Sequence, residues 1–249
     1  MDGCWQIERH EEIDSTNRRA LELARAGAPS GTVVVASRQT SGCGRRSRHW
    51  HSPAGGLWFS LLLRPNVAPE CTAAASLMAG VSVVSTLRRL YRRNDICLKW
   101  PNDILIGEKK IVGILAEMAL DADGFVDFLV IGIGINVDLP PDTWTGELKD
   151  RAVSLRTATG IVYTPDEVLR EALTDMKIHV KDWEANGMSK ILSAWLAMNN
   201  TIGREVIVKD DGRVIWSGTA TALSEDGSLT VRGEDGCIQT FSFGEISIR

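Results

Sequence analysis

Residues 96–137 read ICLKWPNDILIGEKKIVGILAEMALDADGFVDFLVIGIGINV, and their texture decides the fold. Three runs rich in branched apolar residues, at 96–100, 103–118 and 125–137, are separated only by short turn-forming stretches. Pro101-Asn102-Asp103 and Gly107-Glu108 supply the turn chemistry. Strands joined this closely pair antiparallel, because a parallel pair needs a long crossover. The expectation is an α+β fold, a mixed and largely antiparallel sheet with helices packed on one side.

Working outward, residues 32–37 and 57–63 read as further buried strands. Between 72 and 93, Ala74, Leu77, Met78, Val81, Val84, Leu87 and Tyr91 recur at helical spacing. A first helix is expected over 16–26, capped by Asp14 or Ser15 and stopped by Gly27. Thr164-Pro165-Asp166-Glu167 forms a capping box with proline at the first helical position, and its helix runs towards Trp183. A shorter helix covers 189–198. After Asn199-Asn200 the texture changes to short β-rich runs at 205–209, 214–223, 228–231 and 238–243. Asp211-Gly212, Asp226-Gly227 and Asp235-Gly236 separate them, each a hairpin signal. A small β-barrel is expected there, dividing the chain into residues 1–199 and 200–249.

A formal net charge of −4 argues against bulk attraction to nucleic acid. Cys4, Cys43, Cys71, Cys97 and Cys237 are scattered without a CxxC pair, which suggests neither a disulfide framework nor a cysteine zinc site. No signal peptide or membrane-spanning apolar run is present, so a cytoplasmic protein is expected. There is no Walker P-loop and no G-x-S-x-G elbow, and the four histidines lack metal-ligand spacing.

Against this acidic background, Arg38, Arg45, Arg46 and Arg48 crowd into eleven residues, with Gly42 and Gly44 among them and Trp50 just beyond. Glycine lets a backbone approach a ligand closely, and guanidinium forks suit phosphate oxygens. Such a loop could close over a nucleotide's phosphates; a solvated basic loop fits the composition equally well. Lys99–Asp103 is either a plain hairpin with a structural tryptophan or a strand edge presenting a cation, an amide and a carboxylate to a ligand, with Asp103 a candidate magnesium contact. Lys109-Lys110 leads into an apolar strand, although turn lysines are commonly solubilising. The Ile131–Asn136 run alternates β-branched residues with glycine, as a tightly packed strand or one passing close to a ligand would.

Taken in order, Ser15-Thr16-Asn17, the Gln39–Trp50 loop, Lys99–Asp103, Lys110 with Gly113-Ile114-Leu115, the Gly132–Asn136 run and the closing Gly244–Arg249 resemble the biotin protein ligases. The resemblance covers nearly the whole chain. It implies a class II synthetase-like catalytic domain followed by an SH3-like barrel. It also implies a two-step reaction: biotin and Mg·ATP give biotinyl-5′-AMP, and a lysine of a biotin carboxyl carrier protein then attacks the mixed anhydride. By motif, Ser15, Thr16, Asn17, Gln39 and Ser60 would hold biotin's ring. Cys43, Gly44, Arg45, Lys110 and Gly113 would surround its carboxylate and the α-phosphate, with Arg45 and Lys110 catalytic. Gly132 and Gly134 would let their strand pass close to biotin. Arg48, Trp50, Asn102 and Asn136 would meet the adenylate, and Asp103 would help hold Mg2+. The family's loop commonly reads Gly-Arg-Gly-Arg and continues with glycine, whereas Cys43 and Ser47 stand here. Ser15 lies too near the first residue for an N-terminal DNA-binding domain, so a monofunctional ligase is expected, monomeric or homodimeric, without nucleic-acid or membrane partners. A lipoate or octanoate ligase or transferase on the related fold is the enzymatic rival, and a non-catalytic biotin-binding module is the other.

Overall fold

The computed structural model describes residues 4–67, 69, 73–242 and 244–248. Cys71, Thr72, Phe243 and Arg249 lie outside them. In chain order the first unit contains β1 (Gln6–Ile13), α1 (Thr16–Arg25), β2 (Thr32–Gln39), β3 (Leu57–Leu63) and α2 (Ala73–Tyr91). It continues with β4 (Ile96–Lys99), β5 (Asp103–Ile106), β6 (Lys109–Leu120) and β7 (Val126–Ile135). The helices α3 (Leu148–Arg151), α4 (Leu155–Thr159), α5 (Pro165–Asn186) and α6 (Ser189–Met198) follow.

Seven strands form one sheet in the order β1-β2-β3-β7-β6-β5-β4. All neighbours are antiparallel except β1 and β2, which α1 connects as a crossover and which therefore run parallel. The β1 strand, QIERHEEI, is a charged edge strand with no buried position, so it carried no apolar pattern to read.

The expectation of helices on one side is corrected. Side chains alternate across β2, so Val33 and Val35 enter the core beneath α2 and α5, whereas Val34 faces the other way. On that second face Ala20 and Ala24 of α1 pack with Val34, Leu62, Phe128 and Val130. Cover on both faces explains why β3 is buried at every position instead of alternating.

Local chemistry sets the helix ends. Ser15 caps α1 by accepting the Arg18 amide. In the Thr164 capping box, the Thr164 amide donates to Glu167 Oε2 at 2.7 Å, while Thr164 Oγ1 accepts the Glu167 amide at 3.2 Å.

The C-terminal unit is a five-stranded antiparallel sheet: β8 (Glu205–Asp210), β9 (Arg213–Leu223), β10 (Leu229–Arg232), β11 (Ile238–Phe241) and β12 (Glu245–Ile248), ordered β11-β10-β9-β8-β12. Asp211 and Gly212, both at positive φ (45° and 76°), make the tight turn between β8 and β9. This unit is stitched to β4. The Asn200 amide donates to Leu98 O, the Trp100 amide to Thr201 Oγ1, and the Trp100 indole to Gly227 O, at 2.7, 3.0 and 2.9 Å. Trp100 is thus a structural tryptophan, and these bonds hold the small sheet beside the ends of β4 and β5.

Candidate active site

A cavity of ≈ 660 Å³ opens between the strand ends, the Arg-rich loop and the C-terminal sheet, a size suited to a small organic ligand. Arg45 and Lys110, 65 positions apart in sequence by their numbering, both face it, which is the convergence that the two-anion reading requires.

One end is polar and tightly ordered. The Thr16 amide and hydroxyl both reach Gln39 Oε1, at 2.8 and 3.1 Å. Gln39 Nε2 donates to Ser52 Oγ at 2.8 Å, and Ser52 in turn donates to Trp50 O at 3.0 Å. The Ser60 hydroxyl bonds Thr16 Oγ1 at 2.8 Å and Asn17 Oδ1 at 2.6 Å. Asn17 Nδ2 donates to Glu117 Oε2 at 2.8 Å. A continuous chain of hydrogen bonds therefore runs from Glu117 to the start of the Trp50 turn and fixes both ends of the Asn17 amide. Ser60, expected on the cavity wall, is fully buried behind Thr16 and Asn17 and holds them in place.

The glycine-alternating strand has a definite steric reason. A Cβ at position 132 would overlap Asn17 Oδ1 and stand 2.7 Å from its Cγ. A Cβ at 134 would lie 2.8 Å from Trp50 Cε2, and one at 113 would lie 2.8 Å from Trp50 Cζ3. Gly132 makes room for Asn17, while Gly113 and Gly134 seat the Trp50 indole. Trp50 also meets Trp58 edge-on, with centroids 6.4 Å apart. Among the described residues its buried Nε1 has no hydrogen-bond partner, and neither has the Oδ1 of Asn136, whose Nδ2 donates to the carbonyls of Lys110 and Val153. Both residues line the cavity, and buried polar atoms normally find partners.

The other end is cationic. Lys110 Nζ lies 2.5 Å from Asp103 Oδ1 and 4.9 Å from the centre of the Trp50 ring. Arg45 donates to Asn102 Oδ1 at 3.3 Å and to Gly244 O at 3.2 Å. Burial, with repulsion from Arg46, lowers its pKa, yet a guanidinium stays charged at any ordinary pH. Asp103, expected to contact magnesium, is bonded to Lys110, and among the described residues no group of three or more His, Cys, Asp or Glu gathers to hold an ion.

The Arg-rich loop is also tied to the C-terminal sheet. Arg46, at φ 55°, pairs with Asp210 and Asp211, and Arg48 pairs with Glu245 at 2.6 Å. Arg48 was expected to meet the adenylate; it lines the cavity, but its charge is taken by Glu245. Arg38 pairs with Glu12 instead of joining the cluster. Cys43 lines the cavity with its thiol against Ser41 O, and the Arg18 guanidinium is a charged neighbour that the sequence did not reveal. Half-exposed ion pairs contribute about 0.2–1 kcal/mol. Asp210→Asn is accordingly expected to speed backbone amide exchange across residues 43–49 by no more than about fivefold. Hydrogen-exchange mass spectrometry reads this directly, and unchanged exchange would show that the pair does not restrain the loop.

Sequence reasoning missed two groups. Glu117 lies in the middle of the apolar run of β6, and a carboxylate in such a run was the available cue. Lys99 was read as part of a motif but given no task; it lines the cavity, and burial pushes its pKa down.

A cavity with a polar, hydrogen-bonded end, a cationic wall and an Arg-rich loop beside it fits a ligase as the class of protein. Residues 10–136 match the model of the biotin/lipoate A/B protein ligase family, and residues 201–249 match the biotin protein ligase C terminal domain. The chain belongs to the biotin protein ligase family. It is 38% identical to the bifunctional ligase/repressor BirA of Bacillus subtilis (strain 168), over 94% of this chain and 71% of that protein. It is 32% identical to the biotin–[acetyl-CoA-carboxylase] ligase of Paracoccus denitrificans, over 90% of this chain and 92% of that one. Among solved structures, the Aquifex aeolicus biotin protein ligase in complex with biotin and ATP superposes with a TM-score of 0.81 at 33% identity, covering 98% of both chains. No described helix is long and apolar enough to cross a membrane.

Proposed function

We propose that the chain activates biotin with Mg·ATP to biotinyl-5′-AMP and then passes biotin to a lysine of a biotin carboxyl carrier protein. The observation that carries this reading is the shared cavity of Arg45 and Lys110, with a polar pocket at one end and a cationic wall at the other. Ser15, Thr16, Asn17 and Gln39 take the ureido ring, whose carbonyl and two N–H groups need fixed donors and acceptors. Lys110 and Arg45 draw the carboxylate and the α-phosphate together and offset their repulsion, so that a carboxylate oxygen reaches phosphorus. Gly113 and Cys43-Gly44 keep that region narrow. The unpartnered Trp50 Nε1 and Asn136 Oδ1 supply a donor and an acceptor on the wall assigned to the adenylate, alongside Asn102. Magnesium enters on the nucleotide's phosphates, as part of the substrate.

Residues 1–199 form the catalytic unit in this reading, and residues 200–249 cover one side of the cavity. The Arg-rich loop and the C-terminal sheet together shield the reactive anhydride from water until the carrier arrives. The four free cysteines among the described residues suit the reducing cytoplasm.

The deciding experiment incubates the protein with Mg·ATP and biotin, lipoate or octanoate in parallel, with and without a carrier domain, and follows adenylate and conjugate by mass spectrometry. Biotinyl-AMP and a biotinylated carrier are expected. A preference for lipoate or octanoate would replace this reading with the related transfer activity, and binding without any adenylate would reduce the protein to a biotin-binding module.

A further inference from the structure

Glu117 is the only carboxylate on β6, KKIVGILAEMAL, and it is half-buried. Side chains alternate along a strand, so it shares a face with Gly113 and Leu115, which line the cavity, and with Ala119, which packs against the cluster beneath α1. Glu117 itself does not line the cavity. Among the described residues no Lys, Arg or His pairs with it, and its one hydrogen-bond partner is Asn17 Nδ2, at 2.8 Å. Withdrawing a carboxylate from water without a counterion is costly, and what this one meets in return is a single amide of the cavity wall.

That contact fixes where the hydrogens go in the rest of the network. A carboxylate only accepts, so the NH2 side of the Asn17 amide must face Glu117 and Oδ1 must face Ser60. Ser60 has one proton and two oxygens in reach, Asn17 Oδ1 at 2.6 Å and Thr16 Oγ1 at 2.8 Å. An amide oxygen only accepts, so the Ser60 proton goes to Asn17. Thr16 then gives its own hydroxyl proton to a protein oxygen, either Ser60 Oγ or Gln39 Oε1 at 3.1 Å. In both cases Thr16 Oγ1 turns lone pairs, and no proton, towards the cavity that it lines. With the amide turned the other way, Nδ2 would donate to Ser60, and the Ser60 proton would pass to Thr16 and occupy a lone pair there.

We propose that Glu117 is a positioning residue for substrate selection: through Asn17 and Ser60 it sets the hydrogen-bond direction of the polar pocket, so that Thr16 presents an acceptor to a ring N–H. The assignment deepens the biotin reading given under Proposed function and rests on it. A ureido ring carries two N–H donors, whereas a dithiolane ring or a plain alkyl tail carries none. An acid of the latter kinds would leave the ordered acceptor buried and unpaired, and a site built to bond a donor rejects ligands that lack it. Glu117 thus bears on the choice of acid from outside the cavity, and the acid-activating end around Lys110 and Arg45 is left untouched.

The test measures biotin, lipoate and octanoate binding by calorimetry without nucleotide, and steady-state adenylation with biotin. Glu117→Met removes the acceptor and should weaken biotin about tenfold or more, as for a lost charge-assisted hydrogen bond. Glu117→Lys puts a donor where the acceptor stood, turns the Asn17 amide over and should weaken biotin further. Glu117→Gln can still offer an oxygen to Asn17 Nδ2 and should stay within about threefold of wild type. In the Met and Lys variants KM for biotin rises, while kcat at saturating biotin and KM for ATP stay within about threefold. Lipoate and octanoate affinities do not fall, so the preference for biotin shrinks. Should Glu117→Met fold poorly, the Lys and Gln pair carries the same comparison at this partly exposed position. Unchanged biotin affinity in the Met and Lys variants, a Gln variant as weak as Met, or parallel losses for biotin and ATP would overturn the assignment. Wild-type protein that binds no biotin, or prefers lipoate, would instead overturn the biotin reading itself.

Discussion

Lys110→Ala is expected to lower biotinyl-adenylate formation by about a thousandfold or more while leaving a folded protein. The removal of one pre-set donor from a developing anion typically slows catalysis by about 10²–10³. Here the loss is compounded, because Asp103, now 2.5 Å from the ammonium, would be left as an uncompensated carboxylate facing the incoming carboxylate and phosphates. Stability should change little: both partners of the pair keep roughly a quarter of their side-chain surface exposed (29% and 24%), so the pair contributes about 1 kcal/mol at most. Single-turnover adenylate formation, read beside a thermal unfolding curve, separates the two effects. Lys110→Arg should recover part of the rate, since it keeps the charge but spreads it over a planar fork. Turnover near the wild-type rate in Lys110→Ala would remove this residue from the chemistry.

Gly132→Ala is expected to damage the opposite end of the cavity. The new methyl would overlap Asn17 Oδ1, and Asn17 cannot swing aside freely because Ser60 and Glu117 hold its amide from both ends. Overpacking of this kind costs about 1–3 kcal/mol. Relief by displacing Asn17 would disturb Thr16 and Gln39 through the shared chain of bonds. A drop of at least about tenfold in biotin affinity is expected by calorimetry, with a lowered unfolding temperature. Gly134→Ala makes the informative contrast, because its methyl meets the Trp50 indole instead. That variant should keep biotin affinity and lose adenylation. Undiminished biotin binding in Gly132→Ala would mean that the Asn17 network does not form the vitamin's pocket.

Asn17 and Trp50 show why the glycine pattern was only half legible. Glycines at alternate positions of a strand announce that something approaches closely, yet the sequence cannot say whether that is ligand or protein. The structure answers that protein side chains fill the space at 113, 132 and 134. Ser60 was similarly grouped with Thr16 and Asn17 by motif, but its place behind them follows from the β2-β3-α1 packing and from no local signal. The edge strand β1 escaped notice because it is almost wholly polar, and with it went the parallel pair and the helix on the second face.

By itself the sequence determined the strand and helix spans apart from β1 and the short helices α3 and α4, the Thr164 capping box, the Asp-Gly hairpins and the ordered motifs. Each of these depends on residues within a few positions of one another. Only the tertiary structure decided that Arg46 and Arg48 bond to the C-terminal sheet, that Lys110 faces Asp103, and that Lys99 makes no hydrogen bond or ion pair among the described residues. Those facts depend on which charges meet in space, whether close in the chain, as Asp103 and Lys110 are, or far apart, as Arg46 and Arg48 are from Asp210 and Glu245. Coulomb and hydrogen-bond energies fall off over a few ångströms in space, whatever the separation along the chain.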